Sequence, residues 1–466
     1  MIIVENKEQL ETIYEELKVS DSFFVLIPEN PFNTSPFNDV SLLFIYLFQY
    51  EKTYCLVNTH PDFEFDINLN VFFKKIDTNK SIFVYNKKLF LSFIDNKREE
   101  LKSNFIDIDF VSYICENKAL NLEDITHVTN VYKKFLKQFK NKAINGVIPI
   151  TSHYEYYEKI LHDVYQMYNK YKHFIFSSKE QLLVLDEYFT NNFYDFERNG
   201  IFVDYHKLRK HNPNIFIKNN LIYGDYKFYT KTGRPTNAYA KLNLLALNKK
   251  TGIRKIFTSR FKDEGLLYQF DYSSFHLKLI SILTDELHGV DNMHIHLGNI
   301  IYPKLDLTDE SNYEKVKGLI FKQLYGGVSK EFMHIAFFKK LSKFVDTLWD
   351  EFNTKGFITS KLFKRVIYKK WFDSSINKLT LFNYYIQSFE SELCAFIIKD
   401  INDYIKNNEL QSELILYTYD SFLLDVDKSE ISTHLQKIKD IITYNNILTV
   451  TTKFGDNYQD LNSIKI

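Results

Sequence analysis

Residues 266 to 276 of this chain read Leu-Leu-Tyr-Gln-Phe-Asp-Tyr-Ser-Ser-Phe-His, an apolar run that ends in Asp271. A helical pattern of apolar residues continues from there through Leu283, so the segment predicts a buried strand that leads into a helix. Asp271 would then lie at the exposed end of that strand. Taken alone, such an aspartate is more typical of a turn than of a functional site.

A second carboxylate has the same kind of setting. Residues 414 to 425 form two apolar runs on either side of Asp420-Ser421, which predicts a β-hairpin with Asp420 at its tip. Aspartates at two neighbouring strand ends can hold a pair of Mg²⁺ ions. Such ions activate an attacking hydroxyl and stabilise a leaving pyrophosphate.

A third segment, residues 313 to 327, has the apolar spacing of a helix. Lys317, Phe321 and Tyr325 recur every four residues and therefore lie on one helix face. A cation followed by two aromatic rings can grip a triphosphate and stack on a base. An ordinary amphipathic helix with two core aromatics would give the same pattern.

In this order, the three segments resemble motifs A, B and C of the family A DNA polymerases, such as bacterial DNA polymerase I. Asp271-Tyr272-Ser273 matches motif A, the Lys317, Phe321 and Tyr325-Gly326 spacing matches motif B, and Asp420 matches the hairpin aspartate of motif C. The resemblance implies that Asp271 and Asp420 are catalytic metal ligands. It also implies that the three motif B residues bind the incoming nucleotide.

The resemblance extends from about residue 197 to residue 458. Thr232-Gly233-Arg234 is similar to the family's Thr-Gly-Arg, and His294 is similar to its histidine near the triphosphate. The residues that would contact primer and template are Arg234, Arg254, Asn383 and Gln387. Arginine is rare here, and four of the seven arginines fall in the family-like stretches, namely Arg198, Arg234, Arg254 and Arg365.

The chain departs from the family at four site positions. His276 stands where the family has a glutamate that excludes ribose 2′-hydroxyls, and Tyr313 replaces a triphosphate-binding arginine. Ser421 replaces the glutamate of motif C, and Leu379 replaces an arginine before the Asn383 and Gln387 pair. His276 is still expected at the nucleotide, but the choice of sugar stays open.

The resemblance implies an α+β fold: a right-hand polymerase palm and fingers with a much reduced thumb, plus an α/β exonuclease-like N-terminal domain. We expect residues 1–145 to form a degenerate 3′–5′ exonuclease-like domain and residues 146–466 a family A polymerase domain. Within the latter, the thumb remnant would cover about 150–231, and palm and fingers 232–466. Fewer than thirty residues separate Asp204 from Thr232. Leu26 and Phe90 stand where the exonuclease would need carboxylates.

Composition sets weaker limits. Basic and acidic residues number 59 each, so the 466-residue chain has no net charge, and any nucleic-acid surface must be local. The three cysteines are far apart and suit a reducing cytoplasm, with phage, plasmid, bacterial and organelle settings all open. The start lacks a signal-peptide pattern, and the longest apolar run is far short of the roughly 20 residues that span a bilayer.

The sequence therefore predicts a DNA-directed DNA polymerase, a nucleotidyltransferase that works by two-metal catalysis without proofreading. Its cofactor would be Mg²⁺, with Mn²⁺ as an alternative, and its partners would be primer–template DNA, dNTPs and a protein that replaces the thumb. An RNA- or primer-synthesising polymerase is one alternative, although Phe321 favours DNA because single-subunit RNA polymerases usually have Met there. A catalytically dead nucleic-acid-binding scaffold is another, although both aspartates are present.

Overall fold

The computed structural model describes residues 1–27, 42–58, 60, 63–76, 80–94, 103–118, 150–211, 217, 219–237, 242–287, 289–444 and 446–465. Contacts divide the chain into two compact units, Met1–Tyr194 and Asp195–Ile466. The boundary expected between residues 145 and 146 lies outside the described residues. Residues 150–231, expected as a thumb remnant, are divided between the two units.

The first unit is built on a six-stranded mixed sheet with the strand order β1-β4-β3-β2-β5-β6. The strands are β1 Ile2–Ile3, β2 Ser22–Leu26, β3 Leu42–Leu47, β4 Lys52–Val57, β5 Ser81–Val84 and β6 Asn104–Asp107. β2, β3 and β4 form an antiparallel meander, whereas β5 and β6 run parallel to β2. Three short apolar runs of the sequence, at 22–27, 53–58 and 81–85, are typical of strands, and they correspond to β2, β4 and β5.

Helices cover both faces of this sheet. They are α1 Lys7–Val19, α2 Leu69–Ile76, α3 Lys87–Ile94, α4 Ile108–Glu116, α5 Ile150–Ser177, α6 Lys179–Asp186 and α7 Asn192–Arg198. All six side chains of β3 are buried, because Leu43 packs on the α1 side while Phe44 stacks on Tyr157 of α5 with ring centroids 5.1 Å apart. The helix predicted over 182–198 is interrupted by a π-helical turn, Glu187–Asn191. The helix predicted over 121–142 lies outside the described residues.

A buried ion pair lies beside the sheet of the first unit. Lys87 Nζ donates to Asp186 Oδ2, and both side chains are about 5% exposed or less. The backbone N–H of Lys87 donates to Asp107 Oδ2 at 2.8 Å. Burial, together with the charge of the neighbouring Asp109, raises the pKa of Asp107 to about 7. The sequence reasoning noted the apolar Leu26 and Phe90, which are core residues here, but it missed Asp186.

The second unit is built on a five-stranded antiparallel sheet with the order β14-β15-β11-β16-β17. These strands are β11 Gly265–Tyr272, β14 Glu413–Tyr417, β15 Ser421–Asp427, β16 Val450–Gly455 and β17 Asn462–Ile464. Three short pairs accompany the sheet: β7 Ile201–Phe202 with β8 Leu221–Ile222, β9 Tyr226–Lys227 with β10 Thr236–Asn237, and β12 Phe357–Thr359 with β13 Val366–Tyr368. Leu267 and Leu423 share a core with Ile201 and Ile222.

The second unit contains the following described helices, of which α13 is the longest. They are α8 Tyr205–His211, α9 Phe275–Thr284, α10 Met293–Ile301, α11 Glu310–Gly326, α12 Ala336–Lys355, α13 Lys378–Asn407 and α14 Ile431–Ile442. α13 packs against α9, α11, α12, α14 and β14, and much of its middle is buried. The expected α+β class is therefore confirmed. Among the described helices, none is long and apolar enough to cross a membrane.

The segment between Asp204 and Thr232 is short in structure as well as in sequence. Where the structure describes this segment, α8 is its one helix, and it has seven residues. β8 and β9 follow it, each two residues long. The reduced thumb stays a prediction, but no long helical pair is present in the described part of this segment.

Candidate active site

The two predicted aspartates come together at the end of the central sheet. Asp271 is in β11, and its Cα pairs with that of Ser421 in β15. Asp420 lies in the turn between β14 and β15, and its carbonyl oxygen accepts from Tyr272 N–H at 2.8 Å. Both aspartates line one cavity of about 400 Å³. The turn is tight, since Tyr419 has a φ of +64° in the left-handed region.

The electrostatics of the cavity couple these two carboxylates. Asp420 is open to solvent, yet the cavity walls displace enough water that, together with the charge of Asp271, they raise its pKa to about 6. Burial also raises the pKa of Asp271, whereas the charges of Lys453, Lys249 and Arg254 lower it. The two aspartates therefore repel each other when both are ionised.

A divalent cation fits this pair. Such an ion would relieve the repulsion, and carboxylate oxygens are ligands that Mg²⁺ prefers. In the described part of the chain, no group of three or more His, Cys, Asp and Glu side chains surrounds a common metal position. Mg²⁺ usually keeps several waters and is bound by one or two carboxylates together with substrate phosphates.

We expect Mn²⁺ to raise the melting temperature of the chain more above pH 7 than near pH 5. With a pKa of about 6, Asp420 is mostly protonated at the lower pH, and a metal ion must displace that proton. Thermal melts with and without Mn²⁺ at both pH values measure this difference. Asp420→Asn has no such proton to lose, so its Mn²⁺ shift should be smaller and should change less with pH than that of the wild type. Equal shifts in the wild type at both pH values would contradict the expectation.

One face of α11 forms another wall of the cavity. Lys317 and Phe321 both line it, and the rings of Phe321 and Tyr325 stack with centroids 6.2 Å apart and planes 12° apart. Phe321 is 37% exposed, which leaves a ring free to stack with a ligand. Lys317 Nζ has only an exposed partner, Glu314 Oε1 at 3.3 Å. The helix and its common face confirm the spacing argument.

His294 also lines the cavity, but not as a cation. Its side chain, on α10, is buried, and this burial together with the charge of Lys317 lowers its pKa to about 4. Its Nδ1 has no hydrogen-bond partner among the described residues. His294 is therefore neutral at neutral pH, and it can offer a hydrogen bond to a ligand but not a charge.

The remaining predicted contacts lie away from the cavity lining. Arg254 stacks on the Tyr458 ring, 4.6 Å from its centroid, and its Nε donates to the Leu247 carbonyl at 2.9 Å. Asn383 and Gln387 lie one turn apart on α13, partly exposed, and bond to each other at 3.1 Å. Arg254 is close enough to Asp271 for its charge to lower the pKa of that carboxyl, although it is not part of the cavity lining. The primer–template role of all three residues stays a prediction.

Sequence reasoning missed a third cavity carboxylate, Glu390. This residue is fully buried on α13 and accepts from Arg234 Nε at 3.0 Å and from His276 Nε2 at 2.5 Å. The other ring nitrogen of His276 bonds the Tyr325 hydroxyl. Helical spacing contained a signal for it, because Asn383, Gln387 and Glu390 follow the i, i+4, i+7 pattern of one helix face.

Arg234 connects this group to the turn that carries Asp420. It follows Gly233, whose φ of +76° is easily adopted by glycine. The Arg234 guanidinium lies over the Tyr419 ring, 3.9 Å from its centroid, while its Nε–H bonds Glu390. A cation–π contact of this kind stabilises both partners.

Comparison with known proteins bears on the fold. No protein-family model and no curated protein matches the sequence. Among solved structures, the POL domain of Pol1 from M. smegmatis, in complex with DNA primer-template and dNTP, matches with a TM-score of 0.69. The match covers 98% of this chain and 99% of that chain, at 12% sequence identity.

The chain has the fold of a DNA polymerase domain. At 12% identity the likeness concerns the fold and not individual side chains. The residues that line the cavity of this polymerase fold include Asp271, Asp420, Lys317 and Phe321, which the sequence motifs predict as site residues.

Proposed function

We propose that this chain is a template-directed DNA polymerase that transfers deoxynucleotides to a primer 3′-hydroxyl and releases pyrophosphate. The observation that carries the proposal is the cavity itself, where two aspartates at neighbouring strand ends face a lysine and an exposed aromatic ring. The fold supports it, since the matching M. smegmatis domain was solved with DNA primer-template and dNTP. We propose that primer–template DNA and dNTPs are the ligands of this chain as well.

Each cavity residue has a role in this reaction. Asp271 and Asp420 would hold two Mg²⁺ or Mn²⁺ ions, which would lower the pKa of the attacking hydroxyl and neutralise charge on the leaving group. Lys317 exchanges its weak pairing with Glu314 for the triphosphate, and neutral His294 adds a hydrogen bond. The stacked Phe321 and Tyr325 rings give the base a flat apolar surface.

The primer–template would lie along the basic side of the Asp271 strand end. Lys249, Arg254 and Lys453 are close enough for their charges to lower the pKa of Asp271. Such side chains bind phosphates without reading sequence, as Arg234, Asn383 and Gln387 would do from the other elements. A local basic surface thus serves a chain whose total charge is zero.

We also propose that the chain has a reduced thumb and lacks proofreading. Leu26 and Phe90 are core residues of the first unit, and the Asp186 carboxylate forms an ion pair with Lys87. This argues for a degenerate exonuclease-like domain that serves as a platform. A partner protein would replace the thumb contacts to the product duplex.

In a primer-extension assay with Mg²⁺ and dNTPs, we expect the isolated chain to add only a few nucleotides per encounter. The reason is that the described part of the 204–232 segment has one short helix, which offers few phosphate contacts to the duplex. The measurement is product length when excess unlabelled DNA traps every molecule that dissociates. Hundreds of additions before dissociation would contradict the reduced thumb.

Further arms of the same assay separate the alternatives. Extension with NTPs in preference to dNTPs would favour an RNA- or primer-synthesising enzyme. DNA binding without extension under any nucleotide or metal condition would favour a scaffold and overturn the proposal. A mismatched primer should stay at full length, and metal-dependent shortening of it would show that proofreading is present.

A further inference from the structure

Glu390 joins four elements of the polymerase fold at one point. Its two carboxylate oxygens accept from Arg234, in the loop before β10, and from His276, on α9. Through His276 the group reaches Tyr325 on α11, and through Arg234 it reaches Tyr419 beside Asp420. The wall that binds nucleotide and the turn that carries the catalytic aspartate therefore share one carboxylate.

The donors and acceptors in this group can be assigned from their partners. Nε2 of His276 faces a carboxylate, so it carries the proton and donates. Burial raises the pKa of Tyr325, so its hydroxyl stays protonated and can donate to Nδ1 of His276, while Nε2 carries the proton that faces Glu390. The order is Tyr325 to His276 to Glu390, with Arg234 donating to the other carboxylate oxygen. Both ring nitrogens of His276 are therefore hydrogen-bonded, and these two bonds fix the orientation of the imidazole ring.

The position of His276 in the cavity indicates which part of a nucleotide it meets. In the proposed function, Asp271 and Asp420 would hold the metal ions that meet the phosphates, Lys317 binds the phosphates, and Phe321 stacks on the base. His276 and Glu390 line the same cavity together with these residues. The sugar of a nucleotide that reaches from one set to the other therefore meets His276, whose ring is bonded to the Tyr325 hydroxyl.

We propose that Glu390 is a positioning residue for sugar selection: it holds His276 and Tyr325 in a fixed wall that excludes a ribose 2′-hydroxyl. This inference rests on the proposed polymerase function. Such a wall can reject a ribose 2′-hydroxyl only if two conditions hold: its side chains cannot rotate away, and they offer the hydroxyl no hydrogen bond. Both conditions are met when the imidazole nitrogens and the tyrosine hydroxyl are already bonded to each other and to Glu390.

A second buried glutamate on α13 shows what a purely structural role looks like. Glu392 is 1% exposed, and its Oε2 accepts from the backbone N–H groups of Leu362 and Phe363 at 2.9 and 3.3 Å. It is absent from the cavity lining. The side-chain partners of Glu390, in contrast, are Arg234 and His276, which both line the cavity. Glu392 is therefore a matched control for charge, burial and helix.

The test compares kcat/KM for dNTP and NTP incorporation in the wild type, Glu390→Gln and Glu392→Gln. A glutamine at 390 has one acceptor oxygen for two donors, so either His276 or Arg234 loses its bond. We expect the dNTP-to-NTP ratio to fall at least about 10-fold in Glu390→Gln, the usual effect of losing one hydrogen bond to a charged group. In Glu392→Gln the ratio should stay within about two-fold of the wild type.

A second variant covers the case in which Glu390→Gln fails to fold. Tyr325→Phe removes only the hydroxyl and leaves the buried charge paired, and it should lower the same ratio. When Glu390→Gln and Tyr325→Phe are combined, the ratio should fall no further than in the single variants, because both residues act through the same series of hydrogen bonds. An unchanged ratio in Glu390→Gln or in Tyr325→Phe overturns the inference. A wild type that extends with neither nucleotide overturns the proposed function, and this inference with it.

Discussion

Asp420→Asn should lower the rate of primer extension at least about 1,000-fold while primer–template affinity changes little. The substitution keeps the shape of the side chain but removes the charge that a second metal ion needs. A bound metal contributes several kcal/mol of transition-state stabilisation in reactions of this class, which corresponds to a factor of this size. Affinity should survive because the predicted DNA contacts lie on other elements.

Single-turnover extension measures the rate, and fluorescence anisotropy with labelled primer–template measures the affinity. Asp427→Asn is the matched control, since Asp427 lies at the other end of the same strand and caps a turn by accepting from Ser429 N–H at 2.8 Å. Asparagine can still accept that bond. Extension by Asp420→Asn within 10-fold of the wild type would remove Asp420 from catalysis.

Lys87→Met should destabilise the first unit by about 3–5 kcal/mol, because it leaves the buried Asp186 carboxylate without its cation. The other carboxylate oxygen, Asp186 Oδ1, has no hydrogen-bond partner among the described residues, so the ammonium is its main compensation. The double variant Lys87→Met with Asp186→Leu should recover much of the loss. Replacing both members of a buried pair by apolar residues is often neutral or stabilising.

Hydrogen exchange at the amides of β5 and β6 measures the stability of the first unit alone. A separate measurement is needed because a chain of two units need not unfold in one two-state transition. Lys75→Met is the comparison, because the Lys75–Glu11 pair is about half exposed and should contribute under about 1 kcal/mol. If the two substitutions have equal effects, the buried pair does not stabilise the unit as argued.

Local pattern was enough to predict the parts of the site that depend on neighbouring residues. The β11 strand end, the hairpin at Asp420 and the face of α11 each follow from spacing within about a dozen residues. Glu390 could not be found in this way, because its partners Arg234 and His276 are 156 and 114 residues distant in sequence. The Lys87–Asp186 pair, 99 residues apart, was missed for the same reason.

The assignment of α5 shows the same limit at the level of domains. An amphipathic pattern predicts the helix but not the surface that it covers. Its Tyr157 and Tyr168 stack on Phe44 and Phe48 of the first unit, whereas the sequence had placed it with the polymerase domain. A domain boundary follows from contacts between residues, and a single sequence does not show those contacts.

The middle of α13 cannot change length. Glu390 bonds into the cavity, while Glu392, two residues later and about 200° around the axis, bonds to the 362–363 backbone in the opposite direction. One inserted or deleted codon before residue 390 would rotate all that follows by about 100° and shift it by about 1.5 Å. Neither glutamate could then reach its partners. During evolution, residues of this helix can therefore be substituted, whereas insertions and deletions are expected in the loops between elements.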